Sequence, residues 1–205
     1  MHLRMLEIAK SYLEMKSIKV LEGILSPVAD QFNKPSLIKS VHRLALVQQA
    51  TKSSSWIRAD DWECTQPQWS RTLTVLEHHQ EKSEETFGKD VQVMLVVGGD
   101  VVETFTRILS DGSNLWKPED VCRIVQDFGL IVISRENSMP EVHLEKVKQN
   151  LASRVIFLKE EVCPCDVSST RIRSAIADGR SIKYATPDGV IDYINAHNLY
   201  FTRKD

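Results

Sequence analysis

Hydrophobic positions along the chain recur first at helical and then at strand spacing. Leu3, Leu6, Ala9 and Leu13 line one face of a helix over residues 2–15. Residues 18–25 read as a strand closed by Ser26-Pro27, and the turn-formers Asp30 and Asn33 make residues 28–34 a loop. Ser36 stands where an N-cap belongs for a helix through Thr51, with Leu37, Val41, Leu44, Ala45 and Ala50 inward. A short strand at 56–60 follows, then a helix at 67–84 with Trp69, Leu73 and Leu76 on one stripe. After a polar break at 83–90, residues 91–97 are apolar except for Gln92, as in a strand buried on both faces. That run ends in Gly98-Gly99-Asp100 and a helix. Beyond a loop at 110–114 the pattern gives a helix at 118–128, a strand at 129–135, a helix at 141–150 and a strand at 154–159. A helix opening at Ser168 and a last one at 187–196 complete it. The order αβαβαβααβαβαα predicts an α/β fold, a doubly wound and mostly parallel sheet with helices on both faces. No internal repeat or low-complexity tract interrupts it, and 205 residues suit a single domain.

Composition narrows the function classes. A formal net charge of -2 argues against a protein that coats nucleic acid, while leaving room for a local basic phosphate site. No apolar run reaches membrane-spanning length. The four cysteines, Cys64, Cys122, Cys163 and Cys165, make no CxxC pair and read as reduced thiols. No secretory pattern follows Met1 and no Lys/Arg cluster marks a nuclear address, so the expected location is the cytoplasm, with the nucleus left open.

The densest chemistry lies at residues 168–173, where Ser168, Ser169 and Thr170 precede Arg171 and Arg173. Three hydroxyls and two guanidiniums thus fall within six positions, directly before the helical pattern of Ile172, Ala175 and Ile176. A hydroxyl there caps a helix whose N-terminal N–H groups and dipole suit a phosphate, and arginine adds a charged fork. A plain Ser cap with solvated arginines is the alternative. Gly98-Gly99-Asp100 ends a buried strand, where open sheets bind ligands. Gly98 allows close backbone approach and Asp100 can accept from ribose hydroxyls, or simply cap the next helix. Trp69 and Thr72 are three apart on the expected helix, so they share a face that either stacks on a flat base or packs in the core. Leu115-Trp116 follows a polar loop, Lys34 lies in a loop after a strand, and Arg135 closes a strand at its C-terminal end. His78-His79 reads as a solvated helix face. There is no G-x-x-x-x-G-K-[ST] loop.

Together these residues resemble the eukaryotic nicotinamide/nicotinic acid mononucleotide adenylyltransferases along almost the whole chain. The resemblance is carried by Met1-His2-Leu3-Arg4, Gly23-Ile24-Leu25-Ser26-Pro27-Val28, His42-Arg43 and Trp62-Glu63. It continues through residues 69–72, Gly98 to Asp100, Asn114-Leu115-Trp116, Phe128-Gly129-Leu130, Ser168 to Arg173 and the tail from Asp188 to Tyr200. It implies a Rossmann-like nucleotidyltransferase that joins ATP to a mononucleotide, giving NAD or deamido-NAD and pyrophosphate. His2 and Arg173 are then the catalytic donors. ATP is held by His2, Lys34, Asp100, Ser168, Ser169, Thr170, Arg171 and Arg173. The mononucleotide is held by Trp69, Thr72, Gly98, Asp100, Leu115, Trp116 and Arg135, with Trp69 stacking on the nicotinamide ring. Magnesium (Mg2+) is the implied cofactor, held mainly by phosphates and water rather than by a protein cage. The implied partners are ATP and the mononucleotide, with no nucleic acid and no membrane, and a homo-oligomer is left open.

The family also carries a first strand and a Gly-x-Phe-x-Pro phosphate loop just before the Met-His pair. The expectation is therefore a chain truncated at its N-terminus, poorly stable and weakly active alone. Cys165 stands where an asparagine is common, and Asn33 and Pro35 flank Lys34 where lysines are more frequent. Two rival readings remain: a non-catalytic remnant acting by binding, and a sibling nucleotidyltransferase with another acceptor.

Overall fold

Every strand in the described residues runs parallel to its neighbour, as an α/β chain with helical crossovers requires. The structure is a computed structural model and describes residues 1–32, 37–134, 139–162 and 167–201. Strand β1 (Gly23–Leu25) pairs with β2 (Ile57–Ala59), Gly23 opposite Ile57. Strands β3 (Leu95–Gly98), β4 (Leu130–Ser134) and β5 (Val155–Lys159) form a second sheet in that order, with Leu95 opposite Leu130 and Leu130 opposite Val155. The strands are thus hydrogen-bonded in two sets among the described residues, and β1 and β3 are shorter than the strands expected at 18–25 and 91–97. β1 ends where its partner ends: Gly23 N–H donates to the Trp56 carbonyl, and Asp60 N–H closes the ladder on the Leu25 carbonyl.

Nine α-helices accompany the strands among the described residues: α1 (His2–Met15), α2 (Ser40–Thr51), α3 (Trp62–Thr65), α4 (Thr72–Phe87), α5 (Gly99–Glu103), α6 (Pro118–Arg123), α7 (Pro140–Val147), α8 (Ser169–Ala177) and α9 (Asp188–Ala196). α1 has the expected bounds, and α3 is the one helix the pattern did not announce. α6 continues as a π-helical turn, Ile124–Phe128, that ends at Gly129, whose φ of 87° suits glycine.

Two helices depart from expectation in ways that matter for the site. α2 begins at Ser40, after the expected cap Ser36, which lies outside the described residues. Asp30 accepts instead from the Ser40 amide and hydroxyl, at 2.5 and 3.0 Å. α2 also leaves Val41 exposed, where it was expected inside. α4 begins at Thr72, because Arg71 is extended, with φ −71° and ψ 149°. Trp69 is therefore not on that helix and shares no helix face with Thr72. α4 runs on to Phe87 and buries His79 and Ser83, which correct the expected solvated face and polar break.

The chain forms two compact units. The first comprises Met1–Arg4, Ser17–Ser70 and Cys165–Asp205, and the second Met5–Lys16 and Arg71–Pro164. The first unit packs Ile176, Ile182, Val190, Ile194 and Leu199 against Ile38, Leu46 and Ala50, joining α2, α8 and α9. The core of the second gathers Val97, Val102, Phe105, Val121, Leu130 and Val132, with a neighbouring cluster of Leu73, Leu76, Ile124 and Phe128. Leu130, Ile131 and Val132 of β4 are fully buried in succession, which marks a strand covered on both faces.

Candidate active site

The start of α8 is built as the sequence requires. Ser168 is extended, with φ −137° and ψ 157°, and its Oγ accepts from the Arg171 amide at 3.2 Å. Its carbonyl takes the Ile172 amide at 3.0 Å, so the helix begins directly after the cap. Ser169, Thr170 and Arg171 are exposed on this first turn, where N–H groups lack intrahelical carbonyls. Arg173, one turn on, donates from Nη2 to Thr170 Oγ1 at 3.2 Å. Burial pushes the half-buried Tyr200 phenol up, while the positive charges of Arg173 and Arg43 pull it down. Arg171 and Arg173 thus give the start of α8 positive charge, and the Arg173 guanidinium is held by Thr170. His2, also in the first unit, is the exposed first residue of α1.

Trp69 lies in the same unit, 46% exposed, with its ring near-parallel to Phe32: the centroids are 6.1 Å apart and the planes 27° from each other. Phe32 ends a turn in which its amide donates to the carbonyl of the fully buried Ala29. Asp30 lies within that turn and pairs with Arg43 at 3.1 Å. Burial alone would raise Asp30, but the Ser40 amide, the Ser40 hydroxyl and Arg43 overturn that and hold its carboxyl below the ordinary value. Arg43 also donates to the Ile38 and Val28 carbonyls. Nearby, Ser26 donates to Glu63 at 2.7 Å. Burial pushes the Glu63 carboxyl up, against Ser26 and the charge of Arg43, and Asp60 adds to the rise. Ser26, Asp30 and Phe32 were not among the expected site residues. Arg43 and Glu63 were not expected site residues either, and like Ser26 they helped carry the resemblance; their links span gaps that no local motif encodes.

The second unit carries the remaining described candidates. Gly98 is the last residue of β3, and a Cβ added there would collide with Oδ1 of Asp100, in the exposed first turn of α5. Leu115 and Trp116 leave a tight loop, in which the Leu109 amide donates to Ser113 and the Leu115 amide donates to Arg107. The Trp116 indole N–H donates to Thr104 Oγ1 at 2.9 Å, and the ring stands edge-on to Phe105 with centroids 4.8 Å apart. One edge of the indole is thus locked while Leu115 stays exposed. Trp116 also packs against the cluster of Leu73, Leu76, Ile124 and Phe128, whose two leucines belong to α4, which begins at Thr72. Just before it, Arg71 pairs with the buried Asp120 of α6 at 2.6 Å. The structure thereby brings Thr72 and Trp116 onto packed elements of one unit. Lys34 and Arg135 lie outside the described residues, as do Cys163 and Cys165.

A profile of the cytidylyltransferase-like family matches residues 1–175. The nicotinamide/nicotinic acid mononucleotide adenylyltransferase 2 of Caenorhabditis elegans is 57% identical over 202 residues, which cover 97% of this chain and 91% of the relative. The chain belongs to the mononucleotide adenylyltransferase family. The nicotinamide/nicotinic acid mononucleotide adenylyltransferase 1 of Bos taurus is 36% identical over 244 residues, covering all of this chain and 85% of that protein. Among solved structures, the Plasmodium falciparum nicotinic acid mononucleotide adenylyltransferase complexed with APC aligns with a TM-score of 0.56 at 16% identity. The alignment covers 88% of this chain and 83% of that one, a likeness of fold. The span matched by the profile runs from His2 through Trp69, Gly98 and Asp100 to Arg173. Among the described residues no three His, Cys, Asp or Glu side chains converge to hold a metal.

Proposed function

We propose that this chain transfers the adenylyl group of ATP to nicotinamide mononucleotide or nicotinic acid mononucleotide, giving NAD or deamido-NAD and pyrophosphate. The observation that carries the reading is the Ser168-capped, arginine-bearing start of α8 in a chain of this family. A phosphate oxygen of the mononucleotide attacks the α-phosphorus of ATP. The bond from that phosphorus to the bridging oxygen breaks, and its electron pair leaves on pyrophosphate. No protein nucleophile is needed, so the protein's work is positioning and charge neutralisation.

The roles follow from residue chemistry. His2 and Arg173 act as donors to the phosphates at the reacting centre. Ser168, Ser169, Thr170 and Arg171, with Lys34, hold the triphosphate. Asp100 accepts from ribose hydroxyls, and the bare Gly98 backbone lets the nucleotide come close. The role assigned to Trp69 is to stack on the pyridine ring, and Thr72, Leu115, Trp116 and Arg135 are assigned to mononucleotide contacts. Magnesium suits this chemistry as a cation carried on the nucleotide phosphates and water, a role that asks for no carboxylate cage. It supplies charge neutralisation on the leaving pyrophosphate. No helix among the described residues is long and apolar enough to cross a membrane. The proposed setting is the cytoplasm, with the nucleus left open.

The test is to incubate the purified chain with ATP, magnesium and each mononucleotide in turn, following dinucleotide and pyrophosphate. Equal amounts of both products support the reading. Binding of ATP and mononucleotide without products would instead mark a binding protein, and turnover with some other acceptor only would mark a different nucleotidyltransferase.

A further inference from the structure

Two aromatic rings on a surface are an unusual arrangement unless something covers them, because each loses the hydrophobic stabilisation its burial would bring. Phe32 and Trp69 are such a pair, 36% and 46% exposed and stacked on each other. Phe32 stands at the end of the Ala29 turn, and the device that holds this turn is a single guanidinium. Arg43 is nearly buried, its side chain 13% exposed, and it reaches acceptors on both sides of the turn: the Val28 carbonyl before it and the Ile38 carbonyl after it. Its third acceptor is Asp30, inside the turn. Asp30 in turn accepts from the Ser40 amide and hydroxyl, which ties the turn to the first residue of α2. A planar fork satisfies several fixed acceptors at once, which a lysine ammonium on a flexible stem does not reproduce.

We propose that Arg43 is a positioning residue for the mononucleotide ring: through Asp30 it holds the turn that backs Trp69 with Phe32. The indole then meets the ligand as a pre-set platform rather than as a mobile side chain, so the ordering cost is met before binding. The inference rests on the reading of Trp69 as the residue that stacks on the pyridine ring. Arg43 itself touches no substrate in this account.

The experiment compares Trp69→Ala, Phe32→Ala, Phe32→Tyr, Arg43→Lys and the double variant Arg43→Lys/Phe32→Ala. Each is assayed for KM toward the mononucleotide, KM toward ATP and kcat, with thermal unfolding and near-ultraviolet circular dichroism as checks on folding. Asp30→Asn replaces Arg43→Lys if the lysine variant does not fold. Arg43→Lys and Phe32→Ala should each raise the mononucleotide KM about tenfold while the ATP KM stays near wild type. Phe32→Tyr should restore it, and the double variant should be no worse than Phe32→Ala alone, because both act through one ring. Additive losses in the double variant, or equal rises in both KM values, would overturn the inference. If Trp69→Ala raises the mononucleotide KM while Phe32→Ala and Arg43→Lys do not, the positioning role fails and the stacking role of Trp69 stands. If Trp69→Ala leaves that KM unchanged, the reading of Trp69 fails and the inference falls with it.

Discussion

The carboxylate of Asp100 folds back over Gly98 so closely that a Cβ on the glycine would collide with Oδ1. The backbone at Gly98, with φ −81° and ψ 157°, is ordinary for any residue. The need for glycine here is therefore one of space and not of conformation. Gly98→Ala should push the exposed Asp100 side chain outward at little cost to the fold, within about 1 kcal/mol. It should lower kcat/KM more than about tenfold, because both nucleotide contacts shift together. Thermal unfolding beside steady-state kinetics separates the two effects. A large loss of stability with unchanged kinetics per folded molecule would show that the position is structural.

Ser168 combines a cap with a proposed phosphate contact, and two substitutions pull these apart. Ser168→Ala removes the acceptor for the Arg171 amide and should cost about 1 kcal/mol of stability. Ser168→Asp keeps an acceptor at the cap and suits the helix dipole, so stability should hold or rise slightly. It also places a negative charge where the triphosphate is proposed to bind, so the KM for ATP should rise at least about tenfold. Chemical denaturation and ATP kinetics on both variants check this. Equal ATP kinetics in Ser168→Asp and wild type would remove Ser168 from the ATP site.

Arg71 and Asp120 tie the start of α4 to α6 in the second unit, with the carboxylate side chain only 13% exposed. Arg71→Ala would leave a nearly buried carboxylate without its charge partner. Half-exposure of the arginine limits the loss to about 1–2 kcal/mol, below that of a fully buried pair. Urea unfolding would measure it. Since Thr72 and the residues packing on Trp116 follow directly, the mononucleotide KM should rise in the same variant.

Glu63 gives a pH dependence with a definite sign. Burial raises its carboxyl in the folded chain, although the Ser26 hydrogen bond and the charge of Arg43 oppose the rise. The folded state then holds the proton more tightly than the unfolded chain. The contribution of Glu63 to stability is fully present below the ordinary carboxylate pKa and is lost as pH rises through the raised folded value. Glu63→Gln keeps an acceptor for Ser26 and never ionises, so it should lose less stability than wild type between acid and neutral pH. Asp30 works in the opposite sense: its lowered carboxyl adds stability above the ordinary value, and that is lost on acidification. Comparing unfolding free energies of each variant with wild type across pH isolates each group. A Glu63→Gln variant that loses more stability than wild type as pH rises would contradict this.

Local signals carried over from sequence to structure, and through-space ones did not. The helix over 2–15, the strand at 155–159 and the Ser168 cap depend on periodicity and on neighbours within a few residues, so one chain sufficed to place them. α2 starts late because its first amide and hydroxyl are satisfied by Asp30, ten positions upstream, which no capping box announces. Trp69, Leu73 and Leu76 are spaced like one helical stripe, yet extended Arg71 breaks it, and Trp69 finds its partner in Phe32 instead. His79 and Ser83 look polar in sequence and are buried on α4, a tertiary override of pattern. Arg43 and Asp30 acquire their meaning from acceptors gathered by folding. The family was legible in the sequence, while the support beneath Trp69 was not.

The most direct test of the account uses ATP labelled at its α-phosphate. The purified chain is incubated with that ATP, nicotinamide mononucleotide and magnesium, and the products are separated. Adenylyl transfer predicts that the label moves into the dinucleotide, with one pyrophosphate released for each, and that Trp69→Ala and Arg173→Ala both reduce this flux. Label that stays in ATP, or that leaves only as AMP or ADP without dinucleotide, would contradict the proposed function.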